Sequence, residues 1–245
     1  MPFLEVSGVS KSFGGVRAVA DVSFTLCEGE LVGVMGPNGS GKTTLFNLIA
    51  GALRPDAGDI RFAGQPIGGL APHRVCAHGI ARTFQLVRAF AGLSARENVL
   101  VGRFYGRERH AAGDAVAEAD RLLTLVGLRG REGVPAAQLT LIDRKRLELA
   151  RALATSPKLL LLDEFMAGLN PAETAEAMSL IRSLPAHGQS VLMVEHIVWA
   201  LLDLCGRLIV LSAGEKIAEA APAAVAADPT VLDAYLGVQG KARHA

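Results

Sequence analysis

The chain has 245 residues, 50% of them hydrophobic and 20% charged, with 25 Lys+Arg against 24 Asp+Glu and a net charge of +1. That apolar share excludes a disordered chain, and the length suffices for one large globular unit or a core with a small appended lobe. A balanced charge argues against a polyanionic partner, so no nucleic acid is expected.

Short apolar strands alternate with helical patterns along the whole chain, the signature of an α/β protein. "FLEVSGV" and "DVSFTL" read as antiparallel strands joined by the turn-prone "FGG". "ELVGVMG" is a buried strand followed by helical spacing in "GKTTLFNLIAGAL", and "GDIRFAGQPI" is a short strand pair punctuated by Gly. "SARENVLVG" and "DAVAEADRLLTLVGL" are helical, with the polar "GRERHAAGD" between them. "KLLLLD", "SVLMVE" and "RLIVLS" are apolar strands, with the helix "PAETAEAMSLIRSL" between the first two. "EKIAEA" closes the strand series and "DPTVLDAYLG" forms a terminal helix. The expected fold is a mainly parallel sheet wrapped by helices, with an antiparallel edge and a helical insertion near residues 85–155.

Cys27, Cys76 and Cys205 are scattered and lack metal-ligand spacing, so they read as small buried hydrophobes in a reducing compartment. The opening "MPFLEVSGVSKSF" lacks export-signal architecture, and no uncharged apolar run approaches the roughly 18 residues of a membrane span. The expectation is cytosolic residence.

Chemistry concentrates in "GPNGSGKT", which fits G-x-x-x-x-G-K-[ST] between a strand and a helix. Gly36, Pro37, Asn38, Gly39, Ser40 and Gly41 form a loop whose backbone N–H groups surround a phosphate, with a helix N-terminus behind them. Lys42 neutralises the β- and γ-phosphates, Thr43 offers a hydroxyl to Mg²⁺, and Thr44 extends the contact. "LLLLDE" supplies the matching half: Asp163, at the carboxyl end of a buried strand, holds Mg²⁺ through water. Glu164 polarises a water against the γ-phosphate. The expected ligands are a nucleotide and Mg²⁺, and the paired carboxylates point to hydrolysis; the nucleotide is ATP by the resemblance that follows.

After the loop come, in order, "RTFQ", the helical insertion, "LTLIDRKRLELARAL", "LLLLDE", "AGLNP" and "VEH". This order resembles the ATP-binding subunit of ABC transporters over nearly the whole chain. The resemblance implies one domain over 1–245 with a RecA-like P-loop NTPase core and an antiparallel β subdomain. It also implies a helical signature subdomain at about 86–155 and a short helical tail at about 222–245. Gln85 becomes the loop glutamine reaching Mg²⁺ and the attacking water, and His196 the switch histidine on the γ-phosphate. Gly168 to Pro171 becomes a dimer-contact loop, and Phe13 stacks on adenine unless it is a core residue.

In this family the segment holding "LTLID" normally reads Leu-Ser-Gly-Gly-Gln and binds the γ-phosphate on the opposite subunit's P-loop. Thr140 keeps a hydroxyl, but Leu141 and Ile142 replace the glycines and Asp143 replaces the glutamine, adding negative charge nearby. A poor signature is the expectation; a divergent one that still works is the alternative. The finer resemblance, carried by "RTFQLVRAFAGLSARENVLVG", "LDEFMAGLNPAE", "VEHIVWALLDLC" and "GEKIAEAAPAAVAADPTVLDAYLG", is to ATPases of bacterial branched-chain amino acid importers. Phe165 departs from it, standing where Pro usually follows the catalytic Glu.

That resemblance implies a peripheral protein on the cytoplasmic face of the inner membrane, beneath transmembrane permease subunits. A second ATP-binding subunit pairs with it, as a heterodimer or else a homodimer, and a periplasmic solute-binding protein acts indirectly. Urea, short-amide and lipopolysaccharide-export ATPases share much of the pattern. A soluble ABC ATPase acting on ribosomes or DNA is a further class, disfavoured by the single cassette and the lack of heptads. A non-hydrolysing regulator is argued against by Glu164.

Overall fold

The computed structural model describes residues 2–84, 88–107 and 112–241. β1 (Leu4–Phe13) turns back through Gly14 and Gly15 onto β2 (Val16–Leu26), pairing Leu4 with Leu26 and Phe13 with Val16. β3 (Leu31–Met35) runs across the glycine-rich loop into α1 (Lys42–Ile49). β4 (Ala57–Phe62) and β5 (Gln65–Pro66) follow, then α2 (Pro72–His78) and β6 (Ile80–Arg82). The insertion carries α3 (Ala95–Tyr105), α4 (Ala112–Leu125) and α5 (Leu141–Leu153). The chain returns through β7 (Leu159–Asp163), α6 (Pro171–Ser183), β8 (Ser190–Val194), α7 (Val198–Leu204) and β9 (Arg207–Ser212). β10 (Glu215–Ala220), α8 (Pro222–Ala227) and α9 (Pro229–Lys241) complete it.

Among the described residues the strands form two sheets. One is antiparallel, ordered β2-β1-β4-β5; the other is ordered β10-β9-β3-β8-β7-β6. In the second, β6, β7, β8, β3 and β9 run parallel, and only the edge strand β10 is antiparallel. The antiparallel character foreseen at an edge is thus divided between this strand and a sheet of its own.

β3, β7 and β8 are buried at every residue, because apolar layers cover both faces of the parallel sheet. The two-residue period of a strand sorts the leucines of β7. Leu160 and Leu162 join a cluster with Leu147, Leu149 and Ile181 of the helical side. Leu159 and Leu161 join Phe46, Leu45 and Ile60 on the side of the antiparallel sheet. Truncating one such leucine to Ala costs about 2–5 kcal/mol, enough to loosen the strand that ends in Asp163.

Helix starts are set by local chemistry. Ser94 and Glu97 cap α3 reciprocally, and Asn170 and Glu173 do the same for α6, with Pro171 at its first position. One sequence expectation fails: Cys27 is exposed and Cys76 half-exposed, so only Cys205 is a buried hydrophobe. Cys27 lies at the end of β2, where the chain leaves the core.

Candidate functional site

The loops after β6, β7, β8 and β3 lie side by side, because these four strands are consecutive in the sheet and share a direction. Open α/β sheets collect their ligands at this carboxyl edge. Here it gathers Arg82, Asp163, Glu164, His196 and the Gly36–Thr43 loop.

The loop is cut to backbone width. Gly41 has φ +102, and a Cβ there would meet Ala18 O at 2.2 Å; Gly36 has φ +150, and a Cβ would meet Leu211 O at 2.1 Å. Gly41 caps α1 with no side-chain bond to the helix N–H groups. Those donors and the helix dipole therefore face the cleft, a ready anion site. Lys42 is buried and its Nζ donates to Gly36 O at 2.8 Å and Pro37 O at 2.9 Å, curling over the loop. Burial pulls its pKa down, while Glu164 and Asp163 draw it partly back. A cleft of about 560 Å³ is lined by Asn38 to Thr44, Ala18, Glu164 and His196. Phe13 is 48% exposed with Lys11 Nζ 5.8 Å from its ring centroid, so it is not a core residue.

Glu164 and His196 meet across the cleft: Glu164 Oε1 and His196 Nε2 share a hydrogen bond of 2.7 Å. Asp163, one residue earlier, accepts from Arg82 Nη2 at 2.6 Å. Arg82 Nη1 donates to Asn47 Oδ1 at 2.5 Å on α1, one turn past Thr43. Thr83 Oγ1 accepts from Asp163 N at 3.3 Å. One guanidinium therefore joins the segment entering "TFQ", the helix that carries Thr43, and Asp163. Gln85 itself lies outside the described residues.

The neighbourhood of Glu164 holds two further buried charges. Glu195 accepts from Met166 N at 2.8 Å, and Lys145 Nζ donates to the Glu164 carbonyl at 3.4 Å. Burial raises the Glu195 pKa to about 7, with Met166 N–H and Lys145 opposing and Glu164 reinforcing the shift. Burial lowers that of Lys145, with Glu195, Glu148 and Glu164 opposing.

At the start of α5, Thr140 is the N-cap. Its hydroxyl donates to Asp143 Oδ2 at 2.7 Å and accepts from Asp143 N at 3.3 Å. Asp143 is buried and is also bonded by Arg131, with Arg146 Nη1 3.8 Å away. The expectation that Asp143 adds negative charge near a phosphate is therefore corrected: two arginines of the same chain offset it, and it is turned inward. Ile142 is buried, whereas Leu141 is 40% exposed, and its Cδ2 lies 3.4 Å from where a Gly168 Cβ would sit.

Beside the insertion, Asn98 holds the segment after Gln85 in shape. Its Nδ2 donates to Phe90 O, Leu93 O and Ser94 O, and its Oδ1 accepts from Phe90 N. Arg151 Nη1 donates to Arg88 O at 2.7 Å, which ties α5 to the same segment. A largely apolar cleft of about 630 Å³ opens there, lined by Ala50, Phe84, Phe90, Val101, Tyr105 and Ala152 among others.

Sequence reasoning missed Arg82, Asn47, Lys145, Glu195 and Arg131. The available signal was charge inside apolar context: Arg82 ends the run "GIAR", and Glu195 directly follows the strand "SVLMV".

A phosphate loop opposed by a Glu–His pair, with a helical insertion ending in a capped helix, defines an ATP-binding cassette ATPase. Residues 19–167 match the ABC transporter family, and the chain belongs to it as an ATP-binding subunit that hydrolyses ATP. Residues 215–241 match the branched-chain amino acid ATP-binding cassette transporter family. The high-affinity branched-chain amino acid transport ATP-binding protein BraF of Pseudomonas aeruginosa is 36% identical, over 96% of this chain and 98% of its own. LivG of Escherichia coli, of the same description, is 37% identical over the same shares. The lipopolysaccharide export system ATP-binding protein LptB of Haemophilus influenzae is 35% identical over 98% of this chain and all (100%) of its own. Among solved structures, an ATP-binding cassette in its ADP conformation aligns with TM-score 0.88 at 30% identity, covering 97% of this chain and 99% of that one. A dimeric cassette in a post-hydrolysis state with ADP and Pi aligns at 0.79 and 26% identity, covering 89% and 98%. Cassettes of this family bind nucleotide, dimerise and act with permease components. No helix among the described residues is long and apolar enough to cross a membrane.

Proposed function

We propose that this chain drives import of branched-chain or related amino acids, as a peripheral subunit on the cytoplasmic face of the inner membrane. The supporting observation is the apolar cleft beside the Asn98-stapled segment, whose exposed Phe90 and Tyr105 suit a permease helix. Branched-chain substrates follow from the match at residues 215–241 and from BraF and LivG. The LptB likeness supports lipopolysaccharide export as the second reading. A second ATP-binding subunit completes the site, and a periplasmic binding protein delivers solute to the permease.

Within the cleft the roles are these. The loop from Gly36 to Thr44 cradles the phosphates and Lys42 swings from its carbonyls onto them. Glu164 accepts a proton from the attacking water, His196 orients Glu164 and meets the γ-phosphate, and Phe13 stacks on adenine. Thr43 and Asp163, whose carboxylate Arg82 also holds, offer hard oxygens that would hold Mg²⁺, with Gln85 as the third group, and the ion would supply charge neutralisation at the phosphates. The single domain of residues 1–245, with a signature subdomain at about 86–155 and a tail from about 222, belongs to the same reading.

Uptake of labelled leucine, isoleucine and valine by cells lacking this chain, complemented with wild type or Glu164→Gln, tests it. Wild type is expected to restore uptake and Glu164→Gln to bind MgATP without doing so. Normal uptake in the deletion strain, or defective lipopolysaccharide export in its place, discards the amino-acid reading.

A further inference from the structure

We propose that Lys145 and Glu195 are positioning residues for hydrolysis, fixing the backbone on both sides of Glu164. The inference rests on Glu164 being the water-polarising carboxylate.

Glu164 has φ +50, a left-handed conformation that residues with a Cβ rarely adopt. Such a residue keeps its geometry only when its surroundings over-determine it. Its own N–H donates to Val194 O at 2.9 Å. Its carbonyl accepts from Ala167 N at 3.1 Å and from Lys145 Nζ at 3.4 Å. Two residues on, Met166 N–H is held by the Glu195 carboxylate at 2.8 Å. Phe165, between them, has no ring closure to fix φ, unlike the proline that the family resemblance leads one to expect there. The turn that aims the catalytic carboxylate is therefore set by contacts from other elements.

The charges are placed at a cost that packing alone does not need. Lys145 and Glu195 are each 3% exposed; Lys145 feels the opposite charges of Glu195, Glu148 and Glu164, and Glu195 feels that of Lys145. Buried apolar residues of equal size would stabilise the fold as well or better. A cation on the Glu164 carbonyl and a carboxyl oxygen accepting from the Met166 amide, however, hold a peptide turn by its two ends. Lys145 also sits two residues from Asp143 on α5, so the helix that starts at Thr140 grips the chain's own catalytic turn.

The test uses the transporter complex purified from membranes with the full chain, carrying Lys145→Met, Lys145→Arg, Glu195→Leu, Glu195→Gln or Glu164→Gln. Turnover, KM for ATP, binding of a fluorescent ATP analogue and melting temperature are measured on each. Misplaced catalytic groups cost up to about a hundredfold. Lys145→Met and Glu195→Leu are expected to lower kcat roughly tenfold or more, with KM and analogue binding within about threefold, and Lys145→Arg and Glu195→Gln, which keep the donor and the acceptor, to recover most of the loss. Glu195→Leu replaces a buried acid with an apolar side chain of similar size, so it gives a folded variant even if Lys145→Met does not. Near-normal kcat in folded Lys145→Met and Glu195→Leu beside an inactive Glu164→Gln overturns the positioning role alone. So does a loss of kcat matched by equal loss of nucleotide binding and not rescued by Arg. Turnover in Glu164→Gln overturns the role of Glu164 itself, and the positioning role with it.

Discussion

Arg82 and Asp163 form a buried ion pair of 2.6 Å at the ends of adjacent strands, and the same guanidinium reaches Asn47 on the phosphate-loop helix. The pair braces Asp163 against β6 and the phosphate-loop helix. Removing one partner of a buried pair costs about 3–5 kcal/mol, because the other charge is left in a poorly solvated place. Arg82→Met is therefore expected to lower the melting temperature by about 6–20 °C in a chain of this size. Arg82→Met melting within two degrees of wild type, about 0.5–1 kcal/mol, contradicts the bracing role. A thermal melt followed by circular dichroism decides.

How much of this was readable beforehand follows from distance along the chain. The phosphate loop was legible because strand, glycines, Lys42 and helix are contiguous, and Asp163 because four leucines announce the strand beneath it. Glu164 and His196 were recognisable as motif members, although their 2.7 Å bond spans 32 positions. The Arg82–Asp163 pair spans 81 positions and depends on β6 lying beside β7 in register, with Arg82 opposite Leu161. Sequence periodicity holds no such information. Asp143 was misread for a related reason: the arginine that bonds it, Arg131, precedes α5 in a loop with no periodic pattern.

Glu195 gives the stability curve a distinct slope. Its carboxyl is raised from 4.5 to about 7, first by burial and then by Glu164, against Met166 N–H and Lys145. Between those values the folded chain keeps a proton that the unfolded chain has released, so this group's contribution to stability falls as pH rises through the window. Glu195→Gln carries no such titration. The stability of the variant relative to wild type is expected to rise between pH 4.5 and 7 and to level off above. Urea denaturation of both proteins at pH 5 and pH 8 reads the difference, and a gap independent of pH shows that Glu195 is ionised throughout.

The apolar cleft predicts a separation of binding from coupling. Phe90 is half exposed, and the Arg151 guanidinium lies 5.2 Å from its ring centroid. Phe90→Glu places a carboxylate beside that arginine, which spares the fold, but puts charge where a permease helix is proposed to dock. Leu93→Glu alters the partly buried neighbour in the same turn, whose N–H donates to Phe90 O at 3.0 Å. Both variants are expected to bind a fluorescent ATP analogue like wild type and to lose co-purification with permease subunits. Retained co-purification moves the docking surface elsewhere.

The sharpest expectation concerns Thr140 to Asp143. In a cassette dimer each nucleotide is closed by one subunit's phosphate loop and the other's signature, so this chain's own site, with Lys42, Glu164 and His196, depends on its partner. What it offers in return is poor in donors: the Thr140 hydroxyl is turned onto Asp143, and Leu141 stands exposed beside Gly168. The Arg131 and Arg146 contacts remove the charge penalty but keep Asp143 and Thr140 facing inward. Losing a preorganised donor set costs about 3 kcal/mol, roughly two orders of magnitude in rate. In a heterodimer the site on this chain's phosphate loop is then expected to carry most hydrolysis. Glu164→Gln should abolish turnover of the assembled transporter, whereas the matching substitution in the partner costs little. A homodimer of this chain alone should hydrolyse ATP weakly, and Leu141→Gly with Ile142→Gly should raise that rate. Equal losses from the two carboxylate substitutions, or brisk hydrolysis by the isolated wild-type chain, mean that "LTLID" works as an ordinary signature despite its inward hydroxyl.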